Sequence, residues 1–575
     1  MRAGAVCGSL GGMLTPQASP LLTPPSADSG ALKSVEDAVN GVFGPFADWL
    51  GAIVFYAIPL PGGTSLPIVV LWLVAAGIII STYFGFVQFR AFKLATEVVR
   101  GKFSRPDDPG EITHFQALSS ALSGTVGLGN IAGVGAALAL GGAGATFWMI
   151  VCGLLGMATK FAECTLGVKY RTVNDDGTVS GGPFKYLPVA FGRFGKAPAA
   201  ILTGIFAIAI FFFGVGGGNM FQANQTFAQA RQVTGGDDGY LGSDGSAFVF
   251  GLALAALVGA VILGGIKSIA TVTSRLVPIM GIGYVIACLI VIFSNISHIP
   301  SAFGEIISGA FSPEAGLGGL VGVLIVGFQR AAFSNEAGLG SAPIAHSAVK
   351  TTRPVSEGFV ALLEPFIDTV VICTMTALTI IIADAPSFRG GIEQVKAGEG
   401  APDGVLLTSD AFETFLPQFP VILTVMVALF AFSTLITWSY YGQKAWEYFF
   451  GHNRTGILIY KLIFVTFTLV GTLLTFGKVL ELTDSFLFIC GFVNLLGLYF
   501  LLPEIKKEMN AYLADRKSGR LYELGAADEA ELAAIREQHD NTGELPRMES
   551  DNLHDSGLSM EDRARGGTRH PGDDR

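Results

Sequence analysis

The sequence predicts an all-α polytopic membrane protein, and three observations predict it. Mean hydropathy is +0.55, and hydrophobic residues make up 51% of the chain against 14% charged, where a soluble domain carries about 25% charged residues. Apolar stretches long enough to cross a bilayer, roughly 20 residues each, recur from Leu66 to Leu502. Basic residues gather in alternate short loops, as they do on the cytoplasmic side of a membrane.

About eleven spans are expected, near residues 67–89, 112–140, 144–170, 198–229, 247–266, 270–294, 317–346, 357–383, 419–449, 455–475 and 483–502. The second, fourth, seventh and ninth exceed a straight crossing, so tilt or breaks are expected there. Ahead of them, residues 1–65 read as an extracytoplasmic leader. Leu14–Pro25 is rich in Pro, Ser and Thr, Met1–Met13 lacks a signal core, and Asp48–Ile58 is apolar but too short to span. Residues 66–111 hold the first span and its basic loop, 112–295 and 296–502 hold five spans each, and 503–575 form a polar tail. That tail carries 11 basic and 17 acidic residues from Glu504 onward, so −6 of the net charge of −10 belongs to it. Its composition predicts disorder beyond a short helix.

Arg90, Lys93, Arg100, Lys102 and Arg105 follow the first span, and Lys169, Arg171, Lys185, Arg193 and Lys196 follow the third. Lys267, Arg275, Lys350, Arg353, Lys444 and Arg454 mark the later loops of the same side. The chain therefore crosses a cell (inner) membrane many times, with its amino terminus outside and its carboxyl tail in the cytoplasm. The six cysteines show no disulfide or metal spacing, and the seven histidines form no His-Glu-x-x-His pattern. No phosphate-binding loop is present. These absences argue against an enzyme, an organic cofactor, a nucleic-acid partner and ATP as the energy source, and nothing in the chain calls for an obligate protein partner besides the lipid bilayer.

Inside the second span lies Ser123-Gly-Thr-Val-Gly-Leu-Gly-Asn130. Three glycines and a threonine in eight residues weaken the helix at mid-span. Backbone groups freed in lipid must find protein or water partners, so such a break serves either ligand binding or close helix packing through glycine. The seventh span repeats the theme in Gly327-Phe-Gln-Arg-Ala-Ala-Phe-Ser-Asn-Glu-Ala-Gly-Leu-Gly340, where Gln329, Arg330, Ser334, Asn335 and Glu336 must face protein or water. Setting the first span aside, two sets of five spans each open with a broken segment. Five is odd, so the second set crosses in the opposite sense, which is an inverted-topology repeat with its site where the two breaks meet.

At these residues the chain resembles the alanine/glycine:cation symporters, or sodium:alanine symporters, which have the LeuT-type fold. The matching motifs are His114-Phe-Gln-Ala-Leu, Gly124-Thr-Val-Gly-Leu-Gly-Asn-Ile-Ala-Gly133, Lys160-Phe-Ala-Glu163, Gly181-Gly-Pro183, Phe333-Ser-Asn-Glu-Ala-Gly338 and Phe432-Ser-Thr-Leu-Ile-Thr-Trp438. The resemblance covers roughly Leu66 to Leu502. It implies a LeuT-type 5+5 inverted repeat with one extra N-terminal helix, and Na+-coupled uptake of a small neutral amino acid, alanine or glycine first. A proton-coupled symporter of the same fold is the alternative.

A zwitterionic substrate sets the expected contacts. Its carboxylate suits the backbone N–H groups of Leu128 and Gly129, where the outer half-helix begins. Its ammonium suits carbonyls near Thr125 and around Phe328–Ala332. The resemblance points to Phe328, Ala332 and Trp438 as an apolar wall, and to Gln222 and Asn130 as polar contacts. Sodium wants oxygen ligands, and the resemblance implies the carbonyls of Ser123 and Val126 with the hydroxyls of Ser433 and Thr434. Other readings stay open: Ser433 and Thr434 as hydroxyls bonded one turn back, Trp438 as an interface residue, and Gln222 and Asn130 as interhelical hydrogen-bonding groups. Glu163, beside Lys160 and Lys169, reads as a structural or gating ion pair. Arg330 and Glu336 flank the second break, and Glu364 and Asp368 are candidates for a buried carboxylate pair.

Overall fold

A computed structural model describes residue 41 and residues 44–59, 65–105, 108–174, 177–311, 319–398, 404–473 and 477–523. The expected leader up to residue 40 and the tail beyond residue 523 lie outside these. The apolar segments fold as α1 (Ile68–Tyr83), α2 (His114–Thr125), α3 (Ala132–Gly141), α4 (Ala145–Lys169), α5 (Lys196–Val233), α6 (Gly245–Ile262), α7 (Gly265–Ser294), α8 (Gly319–Asn335), α9 (Pro354–Ala383), α10 (Phe419–Phe450), α11 (Arg454–Leu473) and α12 (Leu482–Lys517). Among the described residues, eight helices are long and apolar enough to cross a membrane, and a bent pair across the Gly-Leu-Gly stretch makes a ninth. The shorter apolar helices α1 and α8 occupy the two remaining stretches where spans are expected. The stretch before α1 is helical over 44–54, with Phe46, Trp49 and Ile53 exposed, and residues Ala57–Pro59 pair antiparallel with Ser65–Pro67.

The two expected breaks differ in form. At the first, α2 ends at Thr125, a single tight turn covers Leu128–Asn130, and the chain bends by 61°. At the second, α8 runs through Asn335 and stops only where Glu336 takes a left-handed φ of 55°. Gly338 and Gly340, at φ 87° and 80°, complete the turn into a short helix, Ala342–His346. A non-glycine residue at positive φ is uncommon, and Glu336 is held there by a bond from Ser341 Oγ to its carboxylate. The expected release of carbonyls around Phe328–Ala332 is therefore displaced. Those residues are inside α8, and the Ala332 carbonyl accepts from Glu336 N at 3.0 Å. α12 also runs through residue 503, with Pro503 inside it, to Lys517.

Helix exteriors are apolar, as lipid requires: Ile279, Ile282, Ile286 and Phe293 stand exposed along α7. Interiors hold small and hydroxyl residues that let backbones approach. α4 and α9 show the closeness. A Cβ at Gly358 would overlap Thr165 Oγ1 and lie 2.7 Å from the Phe161 carbonyl. Gly358→Leu is thus expected to destabilise the fold by about 1–3 kcal/mol, the usual cost of overpacking. A thermal midpoint in detergent equal to that of the parent protein would show that α4 and α9 do not meet there.

Candidate functional site

The first break shows how a bilayer-buried main chain is satisfied. Val126 N closes the last turn of α2 on the Leu122 carbonyl at 2.7 Å. Gly127 N donates to Asn130 Oδ1 at 2.8 Å, and the same asparagine's Nδ2 donates to Asp368 Oδ1 at 2.7 Å and Ser334 Oγ at 3.0 Å. Asn130 therefore ties the break to both α8 and α9. Among the described residues, the N–H groups of Leu128 and Gly129 and the carbonyls of Thr125 and Val126 find no protein partner. Main-chain groups freed at this depth need water or a bound group as partner.

One face of α10 closes the break from the other side. Thr434 Oγ1 lies 3.1 Å from the Ser123 carbonyl, and Ser433 Oγ lies 3.5 Å from it. Ser123 Oγ donates back to the Ser433 carbonyl at 2.6 Å, and Thr437 Oγ1 donates to Ser123 Oγ at 3.0 Å. Both Ser433 and Thr434 also bond the Phe430 carbonyl, at 2.8 and 3.0 Å. The one-turn-back bond and the convergence on Ser123 thus coexist. Trp438 Nε1 donates to the Gly124 carbonyl at 3.3 Å, and its ring meets Phe213 edge-on at 4.6 Å.

Gln222 faces the same break from α5. Its Nε2 donates to the Gly217 carbonyl at 3.2 Å, while its Oε1 is buried without a hydrogen bond. A Cβ on Gly127 would sit 3.8 Å from that oxygen and 2.7 Å from Thr434 Oγ1. Just before Gln222, α5 widens into a π-helical turn, Gly216–Met220, a distortion common at functional sites. Glycine is needed in it, since a Cβ on Gly218 would lie 2.6 Å from Trp438 Cβ. A second π-helical stretch, Phe366–Cys373 in α9, carries Asp368. Asp368 Oδ2 accepts from Ser334 Oγ at 2.8 Å and Thr369 Oγ1 at 2.7 Å. These donors, Asn130, Ser334 and Thr369, are all neutral.

The other expected site residues are placed as follows. Thr125 is buried, with Oγ1 turned back to the Ala121 carbonyl at 3.3 Å. Phe328 and Ala332 are buried in α8, Phe328 beside Trp148 at 6.4 Å and with its carbonyl 3.8 Å from Cys152 Sγ. The α8 residues nearest Gly129 are instead Phe333 and Ser334, at 3.6 and 3.7 Å from a Cβ built there. Phe213, Phe333, Ser334 and Thr437 went unassigned in the sequence reading. Phe333, Ser334 and Thr437 lie within the family motifs, whereas nothing along the chain marks Phe213 among its phenylalanine neighbours.

A family profile described as "Sodium:alanine symporter family" matches residues 61–525. The chain belongs to the sodium:alanine symporter family. It is 38% identical over 457 residues to the sodium/alanine symporter AgcS of Methanococcus maripaludis, covering 79% of this chain and 95% of that protein. It is 32% identical to the amino-acid carrier protein AlsT of Bacillus subtilis, covering 78% of this chain and 90% of that one. The solved structure of MhsT in complex with L-phenylalanine aligns at a TM-score of 0.45 and 14% identity, over 69% of this chain and 98% of that chain.

In this family member the ends of both broken segments on the side of the Arg171 loop are bolted together. Glu111 N donates to the Ala348 carbonyl and Lys350 N to the Ile112 carbonyl, each at 2.7 Å. His114 and His346 both hydrogen-bond the carboxylate of Glu357. Arg171 donates to the carbonyls of Pro109, Ser347, Val349 and Thr351, stapling the two loops. Burial of this guanidinium, beyond the end of α4, lowers its pKa from the ordinary value.

Deeper, Lys160 pairs with Glu364 at 2.8 Å and approaches Glu163 at 4.0 Å, all three fully buried. Glu163 also accepts from Asn494 Nδ2 at 2.9 Å and Gly340 N at 3.2 Å. Lys169, expected beside Glu163, instead reaches Glu508 at 2.6 Å. Glu364 and Asp368 do not pair with each other: the first has Lys160, the second Asn130. Arg330 lies within α8, one turn before its end at Asn335.

Two variants test these contacts. Lys160→Met strands Glu364 in a buried site and is expected to cost about 3–5 kcal/mol, as broken buried pairs do. Lys160→Met combined with Glu364→Leu should recover part of the thermal midpoint, and equal losses in both would remove the pair as the cause. Gly127→Ala drives a methyl against Thr434 Oγ1, and should raise the sodium concentration needed for ligand binding by about tenfold, a shift of roughly 1.4 kcal/mol. An unchanged sodium titration would show that the Thr434 hydroxyl can step aside.

Proposed function

We propose that this chain carries small neutral amino acids, alanine and glycine first, into the cell together with Na+. One observation carries the reading: unpaired N–H groups at Leu128 and Gly129 lie in the same break as three oxygens, from Ser123, Ser433 and Thr434, that converge across α2 and α10. The N–H groups begin a helical segment and suit a carboxylate. The oxygens, with the unpaired Val126 carbonyl nearby, suit a hard cation without a formal charge. The unpartnered Gln222 Oε1 suits the substrate ammonium, with the unpaired Thr125 carbonyl. Trp438, with Phe328 and Ala332 further along α8, limits the side chain.

The cation cradle spans a mechanical boundary. Ser123 belongs to α2, which is tied through its inner end and Asn130 to α4, α8 and α9, whereas Ser433 and Thr434 belong to α10. Sodium bound across this boundary holds the break open for substrate, and each ligand then favours the other by linkage. With both bound, the α2–α4–α8–α9 unit rocks against the rest. In this reading residues 112–295 and 296–502 are the two halves of a 5+5 inverted repeat, and the basic loops lie in the cytoplasm. Each sodium entering down a 100 mV potential contributes about 2.3 kcal/mol.

Proton coupling is the second reading, and Asp368 favours it. A carboxylate buried among neutral donors is costly when ionised, so a proton or a cation has reason to sit there. Uptake into proteoliposomes separates the two readings: a sodium gradient without a pH gradient should drive alanine accumulation, and accumulation only with a pH gradient would overturn sodium coupling. Thr434→Ala should raise the half-saturating sodium concentration by about tenfold, in line with losing a hydrogen-bonding group on an ion. It should leave the alanine requirement at saturating sodium nearly unchanged, and equal shifts in both would take Thr434 out of the ion cradle.

A further inference from the structure

Away from the breaks, a cavity of about 360 Å³ opens between the end of α1 and the far end of α12, lined by Tyr83, Arg90, Leu94, Lys506, Met509 and Arg516. Its position follows from length. A helix of 36 residues extends about 54 Å at 1.5 Å per residue, well beyond a hydrocarbon core of about 30 Å. The last third of α12 therefore projects past the apolar layer on the side of the basic loops, beside the turn where α1 ends. The cavity sits at the level of lipid headgroups.

Its charge is unbalanced. Lys506 Nζ donates to the Tyr83 carbonyl at 3.0 Å and stands 4.4 Å from that residue's ring centroid. Arg90 Nη1 reaches the Gly85 carbonyl at 3.4 Å. Among the described residues, neither cation has a carboxylate partner. Nearby acids are engaged elsewhere: Glu97 with Arg516 at 2.7 Å, Glu504 and Glu508 with Lys169, and Asp515 with Arg353 and Arg520. Two uncompensated positive charges thus face one cavity, and Phe86 and Phe89, 47% and 59% exposed, stand on the same turn.

We propose that this cavity binds the phosphodiester headgroup of an anionic phospholipid. Lys506 supplies a point charge and Arg90 a fork of donors to the phosphate oxygens. Phe86 and Phe89 receive the acyl chains. A basic pocket between helices at the cytoplasmic interface fits an acidic lipid in particular, and the exposed phenylalanines distinguish a lipid from a free phosphate.

Native mass spectrometry of the full chain, with phosphatidylglycerol and phosphatidylcholine of identical acyl chains, tests the assignment. The parent protein should retain phosphatidylglycerol preferentially, and the doubly substituted Arg90→Gln/Lys506→Gln protein should lose about thirtyfold of that preference, the factor expected for removing two basic residues from an anionic contact. The charge-conserving Arg90→Lys/Lys506→Arg protein should keep most of it, with all three proteins monodisperse. Equal retention of both lipids by the parent, or an unchanged preference in the Gln variant, overturns the site. Displacement of phosphatidylglycerol by millimolar inorganic phosphate overturns the lipid as its occupant.

Discussion

A main chain interrupted inside a bilayer must hand its freed N–H and C=O groups to partners, and the architecture around residues 124–131 follows from that constraint. Asn130 meets most of it with one side chain, accepting from Gly127 N and donating to α8 and α9. Thr434 and Trp438 take the Ser123 and Gly124 carbonyls near the end of α2. What those residues leave unpaired is a short run of donors and acceptors around Leu128. The hydroxyl face of α10 approaches that run, with Thr434 Oγ1 at the Ser123 carbonyl, and the glycines of α5 make room for Trp438 and Phe213 behind it.

The same constraint explains why charge is buried at one end of the broken segments. A half-helix separated from its outer continuation has lost the hydrogen bonds that would hold it in register. Here the stubs of both segments gain a backbone bridge, a shared Glu357 carboxylate and the Arg171 staple. Lys160 extends the fastening to α9 through Glu364. Buried ion pairs contribute little net stability but cost much when half of the pair is removed. That asymmetry keeps α2, α4, α8 and α9 fastened to one another. The contacts from this group to α10 are neutral, hydroxyl to carbonyl.

Much of this was legible along the chain because it depends on local composition. Hydropathy placed each apolar segment, though the ends of α1, α8 and α12 lie six or more residues from those expected, and the glycines of Gly124–Gly129 placed the first break. The second break was misplaced by about one helical turn. Gln329 and Arg330 looked too polar for a membrane helix, yet α8 continues to Asn335, since a helix keeps its backbone satisfied whatever its side chains carry. Only the left-handed turn at Glu336, fixed by Ser341 and completed by Gly338 and Gly340, ends it.

Pairing was beyond the sequence. Lys160 with Glu163, three residues apart, was the natural reading on one helix. The closer partner is Glu364, on a helix 204 residues away. Asn130 read along the chain either as a ligand contact or as an interhelical hydrogen-bonding group, and its amide bonds Gly127, Ser334 and Asp368. The sequence by itself determined that the chain crosses a membrane many times and where its helix is weakest, because solvation and helix propensity act residue by residue. Tertiary structure alone decided which polar groups satisfy one another and which are left open, because in a medium without water that depends on which helices lie within hydrogen-bond reach.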